Sequence, residues 1–242
     1  MATPIKIPCT VAAVIEHDAA VSTVTLRPAR RLPNFKPGQF LHLALDPFDP
    51  TIGFWPESRV FSIASLATDP EVSIAYSVKG PFTRRMRQEL SAGKEVWIRL
   101  PYGHFSMAAG VHETVLVAGG TGITPFIAFI LNELKRPSGA VLSLVYGVRK
   151  PELLLFTDIL QRAASQLAGF KLLAFSEEID TVTAPFHLRP GSLSFDELWA
   201  AARDPQAATF YLAGPAAMIS TFRAGLGEKG VDPANIKIDE WE

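Results

Sequence analysis

The chain has 242 residues, which at roughly 150 residues per domain gives one to two domains. It is 48% hydrophobic and 19% charged, with Lys+Arg 23 against Asp+Glu 24, so it can build a core but carries no overall basic field for nucleic acid. The single cysteine, Cys9, excludes an intrachain disulfide, a thiolate zinc site and an iron–sulfur cluster held by this chain's own thiolates. An aromatic fraction of 10% and 19 prolines argue against disorder and against a plain helical bundle. Met1 to Pro8 holds no apolar run of signal-peptide length. The longest apolar stretch breaks at Glu133 and Lys135, well short of the roughly 20 residues a bilayer needs. A cytoplasmic globular protein is expected.

From Cys9 to about Phe105 the pattern is one of short strands and turns. Thr10–Glu16, Ser22–Arg27, Gln39–Leu45, Arg59–Ile63, Val72–Val78 and Glu95–Arg99 are rich in Val, Ile, Phe and Thr, and several alternate apolar with polar residues. Pro37-Gly38 and Asp69-Pro70 are turn signals. One helix, Phe82 to Leu90, interrupts the series and ends before Gly93. Six closely spaced strands predict a small antiparallel β-barrel.

After Met107 strands and helices alternate. Strands are predicted at Thr114–Ala118, Val141–Tyr146, Phe170–Phe175, Thr209–Ala213 and Ile236–Glu240. Helices are predicted at Pro125–Lys135, Glu152–Leu167, Phe195–Ala202 and Pro215–Leu226, the third opened by a Ser194/Glu197 capping box. Buried-type strands alternating with helices predict a doubly wound parallel sheet. The domains are therefore drawn as 1–107, a barrel, and 108–242, an α/β unit.

Gly119-Gly120-Thr121-Gly122-Ile123-Thr124-Pro125 follows a strand and opens a helix. Glycines let backbone amides approach a phosphate, and a helix start offers free N–H groups and a positive dipole end. Thr124 suits an N-cap and Pro125 the first helical turn. The turn lacks a P-loop lysine and is not a full Gly-x-Gly-x-x-Gly fingerprint. Ala213-Gly214-Pro215 is a second strand–helix turn, and both turns could line one crevice. In the barrel half, Arg59-Val60-Phe61-Ser62 places a cation and an aromatic on one face of a strand, suited to a pyrophosphate and a planar ring. Gly80-Pro81-Phe82-Thr83 opens the barrel's helix as a second anion-ready terminus. Taken singly, each motif also fits a structural role: a tight turn, a surface ion pair, a core aromatic. His17, His42, His104, His112 and His187 show no metal-ligand spacing, so no metal site is expected, and no Gly-x-Ser-x-Gly elbow points to a hydrolase.

Together and in this order, these motifs, with Pro37-Gly38-Gln39-Phe40, Pro101-Tyr102-Gly103 and Gly214-Pro215-Ala216-Ala217-Met218, resemble the ferredoxin–NADP⁺ reductase family of flavoproteins. The likeness is closest to the bacterial oxygenase-reductase branch, here without a 2Fe-2S domain. The resemblance implies that Arg59 holds the FAD pyrophosphate, that Phe61 packs against the isoalloxazine, that Ser62 hydrogen-bonds near flavin N5, and that Val60 between them belongs to the cofactor site. Tyr76, Val78 and Lys79 would contact the flavin and ribityl, and Gly80, Pro81, Phe82 and Thr83 would cap the pyrophosphate. Gly120, Thr121, Gly122, Thr124 and Pro125 would receive the dinucleotide's pyrophosphate. Gly214, Pro215 and Met218 would border the nicotinamide, and Trp241 would stand near the open flavin face. Ser62 and Trp241 are the implied catalytic residues, and FAD rather than FMN is the implied cofactor.

The sequence departs from the family where Phe61 replaces a usual tyrosine and Ala213 a frequent cysteine. Where NADP-preferring members follow the serine matching Ser176 with an arginine, Glu177 and Glu178 stand here. A carboxylate accepts ribose hydroxyls and repels a phosphate dianion, so NADH is expected over NADPH, with Arg149 able to offset this. The expected function is hydride transfer from NADH to the flavin, then single electrons to a separate redox protein such as a ferredoxin or an oxygenase component. Arg84, Arg85 and Arg87 could face an acidic partner or be a solvated helix face. The alternatives are a flavin or ferric-chelate reductase with small-molecule acceptors, or a non-catalytic nucleotide-sensing subunit. Neither nucleic acid nor membrane insertion is expected.

Overall fold

The computed structural model describes residues 3–107, 113–178 and 186–239. The chain divides into two compact units, Met1–Ser106 and Met107–Glu242.

In the first unit, β1 (Ile5–Glu16), β2 (Val21–Pro28), β3 (Phe40–Ala44), β4 (Ser58–Ser62), β5 (Val72–Ser77) and β6 (Glu95–Tyr102) form one antiparallel sheet in the order β4-β3-β6-β1-β2-β5. Strict alternation sends Leu41, Leu43, Val96, Ile98, Leu100, Val24 and Leu26 inward with no surface left exposed. Helix α1 (Pro81–Glu89) contributes Phe82 and Met86 to that core, one turn apart on one stripe. Each such side chain contributes about 1.5–3 kcal/mol on burial. Cys9 sits in the same core, where burial pushes its thiol up to about 12 and leaves it chemically inert.

The second unit is an all-parallel sheet in the order β10-β9-β8-β7-β11-β12. Its strands are β7 (Glu113–Gly119), β8 (Val141–Val148), β9 (Phe170–Ser176), β10 (Leu188–Pro190), β11 (Thr209–Ala213) and β12 (Ile236–Ile238). The helices are α2 (Thr124–Lys135), α3 (Thr157–Gln166), α4 (Phe195–Ala201) and α5 (Ala216–Glu228). The chain winds outward from β7 through β8, β9 and β10, then returns to β11 on the other side of β7. The switch point therefore lies between β7 and β11.

Both predicted architectures are present, and four local expectations need correction. The helix predicted from Glu152 starts only at Thr157, after a 3₁₀ turn over Pro151–Leu153 and a left-handed Phe156 with φ of 55°. The buried Tyr146 hydroxyl explains the delay. It donates to the Leu153 carbonyl at 3.3 Å and accepts from the Leu155 amide at 3.2 Å, holding the segment out of helix. Ser194 does cap α4 through the Glu197 amide, but the Glu197 carboxylate turns to Arg189 at 2.8 Å, so only half of the capping box forms. Strand β10, three residues paired with β9, is too short to show a pattern in the sequence. Finally, the last strand stops at Ile238, and Glu240 lies outside the described residues.

Candidate functional site

The barrel is not fully zipped. β4 and β5 end the strand order and share no ladder, although just beyond β4 the Ala64 amide donates to Ser73 O at 2.8 Å. What remains is a seam with Arg59 and Phe61 on one lip and Tyr76 to Lys79 on the other, running to the start of α1. Arg59 stands at its mouth. Its guanidinium lies 5.2 Å from the Phe82 ring centroid, donates to the Ser58 carbonyl at 2.8 Å and meets Glu57 at 3.0 Å. With both side chains about half exposed, that ion pair contributes at most about 1 kcal/mol, so a diphosphate can displace Glu57 at little cost.

Gly80 has open space where a Cβ would point. Phe82 and Thr83 carry first-turn amides with no intrahelical acceptor. Arg59, the open glycine and these amides fit an anionic dinucleotide such as FAD. Several side chains do not play their implied parts. Phe61 is 8% exposed and packs edge-on against Tyr76, 6.5 Å between ring centroids, so most of its face is core. Tyr76 is itself buried beside Ser22 and Arg87, its hydroxyl lacks a well-formed hydrogen bond, and burial raises the phenol's pKa. Only its backbone can serve the seam. Phe82 is buried as the platform under Arg59. The Thr83 hydroxyl accepts from the Lys79 and Gly80 amides, at 2.9 and 3.1 Å, so it closes the turn instead of facing a ligand. Val60 and Val78 are half-buried, Pro81 is exposed, and Ser62 is buried opposite Phe40.

At the sheet's switch point the two predicted turns meet directly. A Cβ on Gly122 would fall 2.3 Å from the Ala213 carbonyl oxygen. Gly214, at φ of 148°, would strike the Gly119 amide at 2.9 Å, and Gly119 abuts Pro215 and Met218. Gly120 differs: it takes φ of 53° and its Cβ direction is empty. Thr124 is not the N-cap. The 3₁₀ turn Gly120–Ile123 runs straight into α2, and the buried Thr124 hydroxyl donates to Thr121 O at 2.6 Å. Pro125 occupies the first turn as expected from its fixed φ.

At the ends of β8 and β9, Arg149 and Glu177 are exposed. Ser176 is wholly buried and gives its hydroxyl to Glu178 O at 2.6 Å, so it cannot face a ribose. Ser192 donates to Glu177 at 3.0 Å, and Lys150 sits 3.6 Å from Glu178. Neither Lys150 nor Ser192 was picked out from sequence. Lys150 was visible beside Arg149, whereas Ser192 has no local signal. The arginine cluster on α1 is largely neutralised: Arg85 pairs with Asp46 and Glu89, and Arg87 with Glu16. Arg84 alone stays exposed without an ion pair among the described residues. Trp241 lies outside the described residues, of which no helix is long and apolar enough to cross a membrane.

Residues 116–224, spanning the switch point, match the oxidoreductase NAD-binding domain family. The chain is 24% identical over 223 residues to the 2-halobenzoate 1,2-dioxygenase electron transfer component of Burkholderia cepacia, covering 90% of this chain and 62% of that protein. It is 30% identical to the ferredoxin–NAD(+) reductase component of the alkene monooxygenase system of Xanthobacter autotrophicus, over 84% and 60% of the two chains. It thus spans about three-fifths of these relatives' length. The fold matches the FAD/NAD binding domain of nitric oxide dioxygenase from Vibrio cholerae with a TM-score of 0.81 at 20% identity, covering 97% and 98% of the chains.

Proposed function

We propose that this chain, a member of the ferredoxin reductase-like oxidoreductases, is an FAD-dependent NADH oxidoreductase that delivers single electrons to a separate acceptor protein. The observation that carries the reading is the seam where β4 and β5 share no ladder, with the exposed Arg59 on its lip over Phe82. FAD, when bound, supplies the exchange between a two-electron hydride donor and one-electron acceptors. The unit Met1–Ser106 holds it: Arg59 pairs with the diphosphate, and the first amides of α1 add hydrogen bonds and the positive end of a helix dipole.

The unit Met107–Glu242 takes the coenzyme. Its pyrophosphate lies over the Gly120–Gly122 turn, whose backbone admits close approach, and Gly214 and Met218 border the nicotinamide. Glu177 accepts a ribose hydroxyl and repels a 2′-phosphate, favouring NADH. The natural acceptor is a ferredoxin or oxygenase component, and the protein works in the cytoplasm, where NADH is available. The neutralised arginines of α1 favour a second reading, in which a small molecule such as a free flavin or ferric chelate takes the electrons.

Extraction of the bound chromophore, then anaerobic titration with each coenzyme, tests the proposal. FAD is expected at one per chain, bleached by NADH, with kcat/KM at least about tenfold higher for NADH than for NADPH. A colourless protein that takes up no FAD would overturn the function, and a preference for NADPH would overturn the role of Glu177. Turnover with a ferredoxin against turnover with ferric citrate separates the two acceptor classes.

A further inference from the structure

Arg27, Arg59, Arg85 and Arg87 of the barrel each meet a carboxylate. Arg99 does not. It lies on the outward face of β6, with His42 of β3 and Lys6 of β1 as its cross-strand partners. The three form one row across adjacent strands, and among the described residues no carboxylate pairs with any of them. Arg99 is half-buried, its guanidinium carbon is 5.5 Å from the Tyr102 ring centroid, and its Nε is buried without an acceptor. Lys6 Nζ sits 3.8 Å over the Phe48 ring, which packs edge-on against Trp97 at 5.5 Å. His42 lies 4.8 Å from the Tyr102 ring, with Nδ1 3.5 Å from Ser58 Oγ.

A buried donor on a charged group is costly to leave unmet, and the flat fork of a guanidinium is matched by an oxyanion. The surrounding rings lower the local dielectric and strengthen any such pairing. Lys6 adds a second charge that meets the Phe48 ring but, among the described residues, no carboxylate. We propose that this row is an oxyanion-binding site for a phosphate or carboxylate group, with Arg99 as the main donor and Lys6 as the second charge. Its donors, Arg99 and Lys6, are not those of the Arg59 seam, and the inference does not depend on the flavin reading.

His42 is the reporter. Its imidazole pKa is held below the usual value by burial and then by the Arg99 cation, so an anion docked on Arg99 must raise it. Arg99, Tyr102 and Ser58 are the polar groups recorded against it. The experiment follows the His42 ring resonances by NMR, assigned by comparison with His42→Gln, while chloride is replaced at constant ionic strength by inorganic phosphate, by acetate or by a glutamate-rich peptide. In the parent protein, phosphate is expected to raise the His42 pKa by about half a unit to one unit, saturably. Arg99→Met should raise that pKa without any anion and abolish the response, while Arg99→Lys keeps both the fold and part of the response. A response to the peptide alone supports the site with a partner protein's carboxylate as occupant; a response to phosphate alone supports it with a free anion. A His42 titration indifferent to all three probes, or an equal response in Arg99→Met, overturns the proposal.

Discussion

The barrel and the parallel sheet each open a helix where a dinucleotide phosphate is expected, and they do so differently. At α1 the start is buttressed by side chains: Thr83 closes the turn, Phe82 forms a platform, and Arg59 brings a full positive charge. At α2 the start is nearly all backbone, glycine packed on glycine, with no lysine or arginine inside the turn. A charge-assisted contact is worth about twice a neutral one. Under the proposed function, the first grip suits a cofactor that stays through every cycle, and the second a coenzyme that must leave after each one.

That contrast can be broken by substitution. The largest effect is expected at Gly122→Val. Its Cβ would meet the Ala213 carbonyl, which is main chain and cannot step aside, so the α/β unit should lose about 3 kcal/mol or more in denaturant unfolding. Parent-like stability would mean that the two turns do not pack as described. Next comes Arg59→Ala, with FAD affinity falling by about 1.5–3 kcal/mol, or about 10- to 100-fold, in a fluorescence titration. Unchanged retention would remove the charged grip from the comparison. Gly120→Asn is milder, because asparagine tolerates the left-handed region and the space beyond is open. Stability should hold within about 1 kcal/mol while the Kd for NADH rises about tenfold and FAD binding is untouched.

The smallest effect concerns the loop that Asp46 ties to α1. The hydrogen bond from Arg85, with its charge, holds the Asp46 carboxyl below the ordinary range. A depressed folded pKa stabilises the protein above the unfolded value and is lost as pH falls through the folded one. Both groups are well exposed, so Asp46→Asn should cost less than about 1 kcal/mol at neutral pH and nothing once the carboxyl is protonated. Parallel stability curves for parent and variant across that acid range would show that the pair contributes nothing.

The sequence discloses what repeats locally. Alternation marks the barrel strands, and apolar runs such as Val115–Ala118 mark the buried parallel ones. Glycine turns after β7 and β11 mark the switch point. What stays hidden depends on partners far along the chain. Arg85 and Arg87 read as a basic cluster because Asp46 lies 39 residues from the first and Glu16 lies 71 from the second. Thr124 has the composition of a cap, and its role is decided by the preceding turn already being helical. The late start of α3 is set by one phenol buried on β8. Within the segments the motifs mark, Phe61, Tyr76, Phe82 and Ser176 are buried, so their side chains support the surface and do not form it.

Because the floor between β7 and β11 is paved by peptide groups in mutual contact, it has almost no chemistry that mutation can edit. Under the proposed function, any redesign of which coenzyme enters must therefore work from Arg149, Lys150, Glu177 and Ser192, whose side chains are exposed. The floor itself can be destroyed but hardly tuned.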